Sequence, residues 1–495
     1  MSLEHLDDID HIVFVMLENR SFDHMLGYLS LDDPSNPPRP DGLRSSKAWQ
    51  DRYINIGDGI PYGLKRLSRK PKPEIKDPPH GSGFVRMQID TPTAGGAEPQ
   101  MGGFVQAYLD SRVKEFDDSG QLKPRRKPKK RLKRPDDVMG YYDAEALPAF
   151  DFFARNFCVC DGWFTPLPTG TQANRLMAMA GESEIVDNVD LFDFPDQDLV
   201  YDWLDERRID WRVYTWGGFV PFFALHSRWR RAIAESMLLG RGPFRRYARL
   251  FKNWTEDRSF PPLIFIEPEY SDGPGARPND DHPPTGVAGA QSLLGEIYNI
   301  LTSNPARWAR TLMIVTYDEH GGFFDHVPPL PIETTIQGKL LPTTGPRVPA
   351  LLVSPHVAAK QVYSGNLDHT SFLHLLGQKF GGGSYSSAVT ARQGELGGAI
   401  VDALRPPRTG AAASPPHRPL EIKAFANSTH EWLAGGISNR TPQTANAAAL
   451  DGAVRTMFDE YPQLSTLPET GEMTLYVNTT RPPEVETIDF IDDED

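Results

Sequence analysis

Glu18 and Asn19 directly follow six consecutive apolar residues, Ile12–Leu17, and Asp318 and Glu319 follow a second apolar and partly β-branched run, Leu312–Thr316, after Tyr317. Runs of this kind read as strands buried on both faces, as in a parallel sheet. An ionised carboxylate at the end of such a strand needs a partner, because an unpaired buried charge is costly. The carboxyl ends of strands are also where open α/β sheets bind ligands. Two strands that each deliver hard oxygen donors point to side chains converging on one divalent cation. An oxygen-rich set suits Mg²⁺, Ca²⁺ or Mn²⁺ better than a softer metal. Gly321 and Gly322 then permit a tight turn before His326.

A third segment, Asp161–Leu176, carries hydroxyls at Thr165, Thr169 and Thr171 and leads into Arg175–Ala180, which has helix-forming composition. Free backbone N–H groups at a helix start bind phosphate. A hydroxyl is a weak nucleophile at neutral pH, and metal coordination is one way to activate it. Thr169 and Thr171 stand as competing candidates for a hydroxyl that could cap the helix and serve as a nucleophile. The structural alternatives are that Glu18 and Asn19 cap the next helix and that Asp318 and Glu319 end a strand in solvent.

The elements that must hold these residues alternate. Strands are expected at Ile12–Leu17, Cys158–Val159, Arg212–Thr215, Leu263–Ile266, Leu312–Thr316 and Ala350–Val353, with an amphipathic helix over Val287–Thr302. The alternation predicts an α/β fold: a mostly parallel central sheet flanked by helices. Asp33–Gly103, rich in Pro and Gly, reads as long loop insertions near the site without a core of their own. A catalytic domain is expected over residues 8–385, a C-terminal extension packing on it as an arm or small subdomain over 386–483, and an acidic tail over 484–495.

The chain has 495 residues and a formal charge of −14, which argues against general nucleic-acid binding. Within this acidic background, residues 123–134 hold nine basic side chains in twelve. They read as a solvated insertion or as a peripheral contact with anionic lipid. No apolar run reaches the ~18 residues of a transmembrane helix. Residues 1–8 lack the pattern of a secretory signal, so a cytoplasmic location is expected, or a secreted or periplasmic one if the N-terminus is processed. Cys158 and Cys160, two apart, suit buried free thiols, since a disulfide across one residue is strained.

Three blocks, Glu18–Gly27 (ENRSFDHMLG), Thr171–Arg175 (TQANR) and Asp318–Pro329 (DEHGGFFDHVPP), resemble the signatures of the phosphoesterase family. That family contains bacterial non-specific phospholipases C, their plant relatives and a respiratory-burst-inhibiting acid phosphatase. Pro79-His80-Gly81, Asn279–Pro283, Gly345–Pro355 and Asp368–Ser371 match further blocks in order, so the resemblance spans roughly residues 10–380. It implies an alkaline-phosphatase-like core and one metal ion held by Glu18, Asn19, Thr171, Asp318 and Glu319. Thr171 would be the nucleophile. His80, His282 and His326 would contact phosphoryl oxygens or handle the leaving-group proton, and Asn174 and His369 would bind substrate. Asp23, His226 and His320 are expected to be structural.

Two departures stand out. Ala173 replaces a usual proline, and Thr285-Gly286 replace the family's His-Asp after His282. The second removes a candidate proton donor and leaves the metal ligands untouched. The expected activity is phospholipase C-like hydrolysis of phosphodiesters through a phosphothreonine intermediate. A phosphomonoesterase acting on small esters and a non-catalytic binding protein of the same fold are the alternatives.

Overall fold

The computed structural model describes residues 5–31, 37–67, 75–93, 100–117, 120–216, 221–271, 278–413 and 444–466. The central sheet has eight strands, numbered along the chain: β1 (His11–Leu17), β2 (Cys158–Cys160), β3 (Trp211–Thr215), β4 (Phe244–Arg246), β5 (Leu263–Glu267), β6 (Thr311–Tyr317), β7 (Ala350–Val353) and β8 (Gln361–Tyr363). Their spatial order is β4-β3-β5-β1-β6-β7-β2-β8. Seven strands share one direction, and β7 runs antiparallel to both of its neighbours. The mostly parallel α/β sheet expected from the apolar runs is therefore present. The two short strands β4 and β8 are additions at its edges.

The helices that matter below are α1 (Ser82–Asp90), α2 (Phe104–Val113), α3 (Pro148–Asn156), α4 (Thr171–Ala180), α5 (Ser227–Leu239), α6 (Ala288–Thr302), α7 (Thr370–Phe380) and α8 (Ala445–Glu460). Side chains alternate across a strand, so Phe14 and Leu17 of β1 face opposite sides. On one side Phe14 stacks on Phe372 of α7 at 4.1 Å, and α4 lies beside α7. On the other, Tyr317, the register partner of Leu17, meets Phe150 of α3, and α6 packs against α3. Both faces are covered, which is why β1 and β6 are apolar almost throughout rather than alternating. Helix α8 lies against α5, and its Leu450 and Met457 join the main core. Cys158 and Cys160 are free buried thiols in β2.

The region expected to be loops carries a core after all. Trp49, Tyr53, Val85, Ile89, Phe104, Val105, Tyr108, Val138 and Met139 form a second hydrophobic cluster, closed by Phe324. Helices α1 and α2 cross within it. Its apolar residues are scattered over several short elements, so no single window shows a period. The basic segment follows α2. Leu122–Pro124 pairs with Lys114–Phe116, and Lys127, Lys130, Arg131 and Lys133 are exposed. Among the described residues, no helix is long and apolar enough to cross a membrane. The acidic tail and residues 414–443 lie outside the described residues.

Candidate active site

The site begins with register. β1 and β6 are parallel neighbours in which Leu17 pairs with Tyr317, so both strands end at one level. The next residues of each strand are the four expected ligands. The Asp318 N–H donates to Leu17 O (3.0 Å), and the Asn19 N–H donates to Asp318 Oδ1 (3.0 Å), tying the ends together. Asn19 takes a positive φ of 64°, a conformation asparagine tolerates. Gly321 is required here, because a Cβ at that position would lie 2.0 Å from Asn19 O.

All four side chains are fully buried. In each acid one oxygen is used and the other has no hydrogen-bond partner. Glu18 Oε1 accepts from Arg175 (3.1 Å) while Oε2 is orphaned. Asp318 Oδ1 accepts from the Asn19 and Glu319 N–H groups while Oδ2 is orphaned. Glu319 Oε2 accepts from the Gly321 N–H (2.7 Å) while Oε1 is orphaned. Both polar atoms of the Asn19 side chain are orphaned as well. Buried polar groups are normally paired, so four neighbouring orphaned oxygens mark a place for a ligand. The donors are all hard oxygens, as a cation such as Mg²⁺, Ca²⁺ or Mn²⁺ requires. When ionised, the three carboxylates and the one guanidinium of Arg175 leave a residual charge of −2, which a divalent ion neutralises. The residues therefore fit the implied metal.

Electrostatics agree. Burial, together with the neighbouring Asp318, raises Glu18 well above the ordinary carboxylate range. Burial and Asp318 likewise push Glu319 up to about 8, against the pull of His80.

Arg175 is the organising residue that sequence reading left without a role. Its guanidinium contacts Glu18 and lies 3.6 Å from Asp318 Oδ2, sandwiched against Phe222 and Tyr270. Helix α4 begins at Thr171, four residues earlier than expected, with Gly170 as N-cap and Thr171 in the first turn. Thr171 and Arg175 are four apart and share a helix face, so Thr171 is directed towards the same strand ends. The Thr169 hydroxyl, its competitor, is spent on Asp187 Oδ1 (2.8 Å).

His80 arrives from the insert. A Cβ on Gly170 would lie 3.3 Å from the His80 ring, and His80 Nδ1 lies 3.8 Å from Glu319 Oε1. The His80 and His282 rings are 6.0 Å apart, edge to face. Burial opposes a charge on His80, yet Glu319 and Asp77 outweigh it and raise its pKa. The structure thus brings Glu18, Asn19, Asp318 and Glu319 together at the strand ends, with His80 beside Glu319, His282 beside His80, and Thr171 in the first turn of the helix that carries Arg175.

The other expected site residues are used differently. Asn174 spends its amide on Leu167, Thr169 and Gly170, so it shapes the loop before Thr171 and has no group left for substrate. His369 accepts from Trp163 Nε1 (3.0 Å) and donates to Asp318 O (2.7 Å), and burial lowers it to about 4. Both of its ring nitrogens are engaged, one of them on the Asp318 backbone. His326 lies in a separate buried cluster, with Nδ1 on Asp23 (2.7 Å) and Nε2 facing Asp41 (3.4 Å), beside Asp325 and Arg347. Burial opposes its charge, but these acids push it to about 9. Motif matching locates such residues without saying which of their atoms are already consumed.

The phosphoesterase family model matches residues 9–381. Non-specific phospholipase C1 of Arabidopsis thaliana is 31% identical over 74% of this chain and 65% of its own length. Phospholipase C A of Mycobacterium tuberculosis is 30% identical over 76% of this chain and 74% of its own. The chain thus spans about 65% of the length of the plant relative. A crystal structure of an alkaline phosphatase superfamily protein from Vibrio parahaemolyticus aligns at a TM-score of 0.30 and 12% identity over 49% of this chain and 62% of that one, too partial an overlap to bear on mechanism. With three quarters of its length matched by the family model and the strand-end cluster in place, the chain belongs to the phosphoesterase family.

Proposed function

We propose that this protein is a metal-dependent phosphoric ester hydrolase of the phospholipase C type. The single observation that carries the reading is the set of four orphaned oxygens on Glu18, Asn19, Asp318 and Glu319, on the side to which Thr171 is directed. A divalent cation bound there would draw negative charge from the phosphoryl group and make a hydroxyl a better nucleophile. Thr171 attacks phosphorus in line and gives its hydroxyl proton to the His80–His282 side. The bond from phosphorus to the diacylglycerol oxygen breaks, and that oxygen leaves with the electron pair and gains a proton from the same side. The Thr171 ester, carrying the phosphorylated head group, is then attacked by water, whose proton passes to a histidine, and the Thr171 oxygen leaves with its electron pair, takes up a proton and is restored as the hydroxyl. Arg175 holds Glu18 and Asp318 apart and in register. His369 and Asn174 hold the backbone at Asp318 and the loop before Thr171.

A phospholipid substrate also gives the insert a role. The exposed cations of residues 123–134 begin beside Val113, an exposed apolar residue whose carbonyl accepts from the Arg125 N–H. Cationic and apolar groups together suit peripheral contact with a lipid surface. The deciding experiment compares hydrolysis of phosphatidylcholine vesicles and of a soluble aryl phosphate after metal removal and readdition. Metal-restored release of phosphocholine supports the reading. Hydrolysis of the soluble monoester alone makes the protein a phosphomonoesterase, and no hydrolysis of either makes it a binding protein of this fold.

A further inference from the structure

We propose that the insert docks on anionic phospholipid bilayers, through an apolar ridge of Ile60, Leu109 and Val113 flanked by the cations of residues 123–133, and so brings substrate lipid to the strand-end site. This names the membrane partner of the site proposed above and rests on its acting on phospholipid.

The ridge follows from the packing of one ribbon on one helix. Leu109 and Val113 are four apart on α2 and share a helix face with Val105. The ribbon of Asn55–Gly57 and Ile60–Tyr62 lies over that face, where a Cβ on Gly57 would be 2.5 Å from Val105 and 2.9 Å from Leu109. Ile60 is the cross-strand partner of Gly57 and so shares its side of the ribbon. The outer part of the face is left to solvent: Ile60 is 53% exposed, Val113 is 46% exposed and Leu109 is half-buried. Neighbouring apolar side chains left in water mark a contact surface, which scattered single ones do not.

The cations are fixed to the end of this ridge. Val113 O accepts from the Arg125 N–H (2.8 Å), Arg112 O accepts from the Lys129 N–H (2.7 Å), and the Arg112 Nε–H donates to Lys130 O (3.1 Å). The basic segment is thereby held along the C-terminal turn of α2. Arg125 and Arg134 pair with Glu115 and Asp137. Arg126, Lys127, Lys130, Arg131 and Lys133 are exposed, and none of them is ion-paired among the described residues. In a chain of net charge −14 this run is a local exception. Each such cation beside an anionic bilayer is worth roughly a fivefold gain in affinity. A nucleic acid would use the cations alone, whereas a bilayer uses the cations and the ridge together.

Helix α1 ties this surface to the site. It starts at Ser82, two residues after His80, and Phe116 packs on its first turn. A Cβ on Gly83 would lie 2.5 Å from the Phe116 ring, and the Phe84 and Phe116 rings are 4.9 Å apart. On the same turn, the Ser82 N–H and hydroxyl each donate to Asp187 (2.6 Å), in a segment with seven acids over residues 182–198. The start of α1 thus touches the cationic insert and an acidic loop. A negative surface attracts one and repels the other, which orients the protein with its insert against the lipid.

Vesicle co-sedimentation tests this apart from catalysis. Full-length protein stripped with chelator is mixed with vesicles of phosphatidylcholine alone or of phosphatidylcholine with ~30% phosphatidylserine. Binding to the mixed vesicles is expected, and it should weaken as salt is raised to ~0.5 M. Replacing Lys127, Lys130, Arg131 and Lys133 together with glutamine should weaken it about 500-fold. Ile60→Ser and Val113→Ser should each weaken it ~5-fold. In the metal-loaded enzyme, the quadruple variant should lose phosphatidylcholine turnover in mixed vesicles and keep its turnover of a soluble aryl phosphodiester, which also shows that it is folded. Equal binding to both kinds of vesicle, or binding that survives the quadruple substitution, overturns the docking surface. Binding indifferent to Ile60→Ser and Val113→Ser would make the patch a general polyanion site, which overturns it too. Phosphatidylcholine hydrolysis without charge-dependent binding removes this surface and leaves the proposed activity standing; binding without hydrolysis does the reverse.

Discussion

Replacing Glu319 with glutamine should make the metal-free protein more stable than the wild type, and a bound metal should erase most of that advantage. The amide oxygen keeps the hydrogen bond from the Gly321 N–H, and the amide nitrogen takes the place of the orphaned Oε1. Without metal, burial and Asp318 raise Glu319 from 4.5 to about 8. An acid whose pKa is raised by folding costs nothing below pH 4.5, and its cost grows as the pH climbs towards 8. At pH 7 the difference of about 2.5 units corresponds to about 3 kcal/mol, which the glutamine does not incur. With metal the gap nearly closes. A cation at a thousand times its dissociation constant stabilises the wild type by about 4 kcal/mol. If the variant binds ~100-fold more weakly, the same concentration adds only about 1.4 kcal/mol. Urea unfolding at pH 7 and pH 4.5, with chelator and with Mn²⁺, reads all four arms. The reasoning fails if Glu319→Gln is less stable than wild type in chelator at pH 7, if its advantage persists undiminished at pH 4.5, or if Mn²⁺ stabilises both proteins equally.

Further expectations concern the nucleophile, the ion cluster and the leaving group. Thr171→Ala should lower kcat by roughly 10³-fold or more, while Thr169→Ala, which loses one hydrogen bond to Asp187, should cost about 1 kcal/mol of stability and little activity; the reverse result would identify Thr169 as the nucleophile. The His326 pKa rises from 6.5 to about 9 on folding, so its stabilisation is full below pH 6.5 and is lost as pH rises through 9, a fall of about 3 kcal/mol. Denaturation measured from pH 6 to 9.5 should show that slope in the wild type and not in His326→Asn, and equal slopes would remove His326 from the account. If no other group assists the leaving oxygen, Thr285→His should raise phosphatidylcholine turnover more than aryl phosphodiester turnover, whereas an equal effect on both would mean that assistance is already complete.

What could be read from the chain, and what could not, divides along physical lines. Ile12–Leu17 and Leu312–Thr316 announce themselves because strands covered on both faces must be apolar without interruption. Their acidic ends are conspicuous for the same reason. The opposite direction of β7 leaves no such mark, since Ala350–Val353 is equally buried either way. The edge strands β4 and β8 are three residues each, too short for a pattern. The second core was missed because Trp49, Val85, Phe104 and Val138 come together only in three dimensions. Arg175 was visible inside the TQANR block, and a cation one helical turn after the candidate nucleophile is a signal that could have been weighed. Asn174, His369 and His326 illustrate the converse. Their positions match motif residues, but their polar atoms are committed to Leu167, Asp318 and Asp23. Only the hydrogen bonds distinguish residues that build the site from residues that would meet substrate.

The central claim is that Glu18, Asn19, Asp318 and Glu319 hold a divalent cation against Thr171. Anomalous diffraction at the manganese edge from crystals grown with Mn²⁺ tests it most directly. The account predicts a strong peak about 2.0–2.6 Å from oxygens of these residues, the span of hard-cation contacts, with the Thr171 hydroxyl at its open side. A catalytically active crystal with no peak between the ends of β1 and β6 would contradict it.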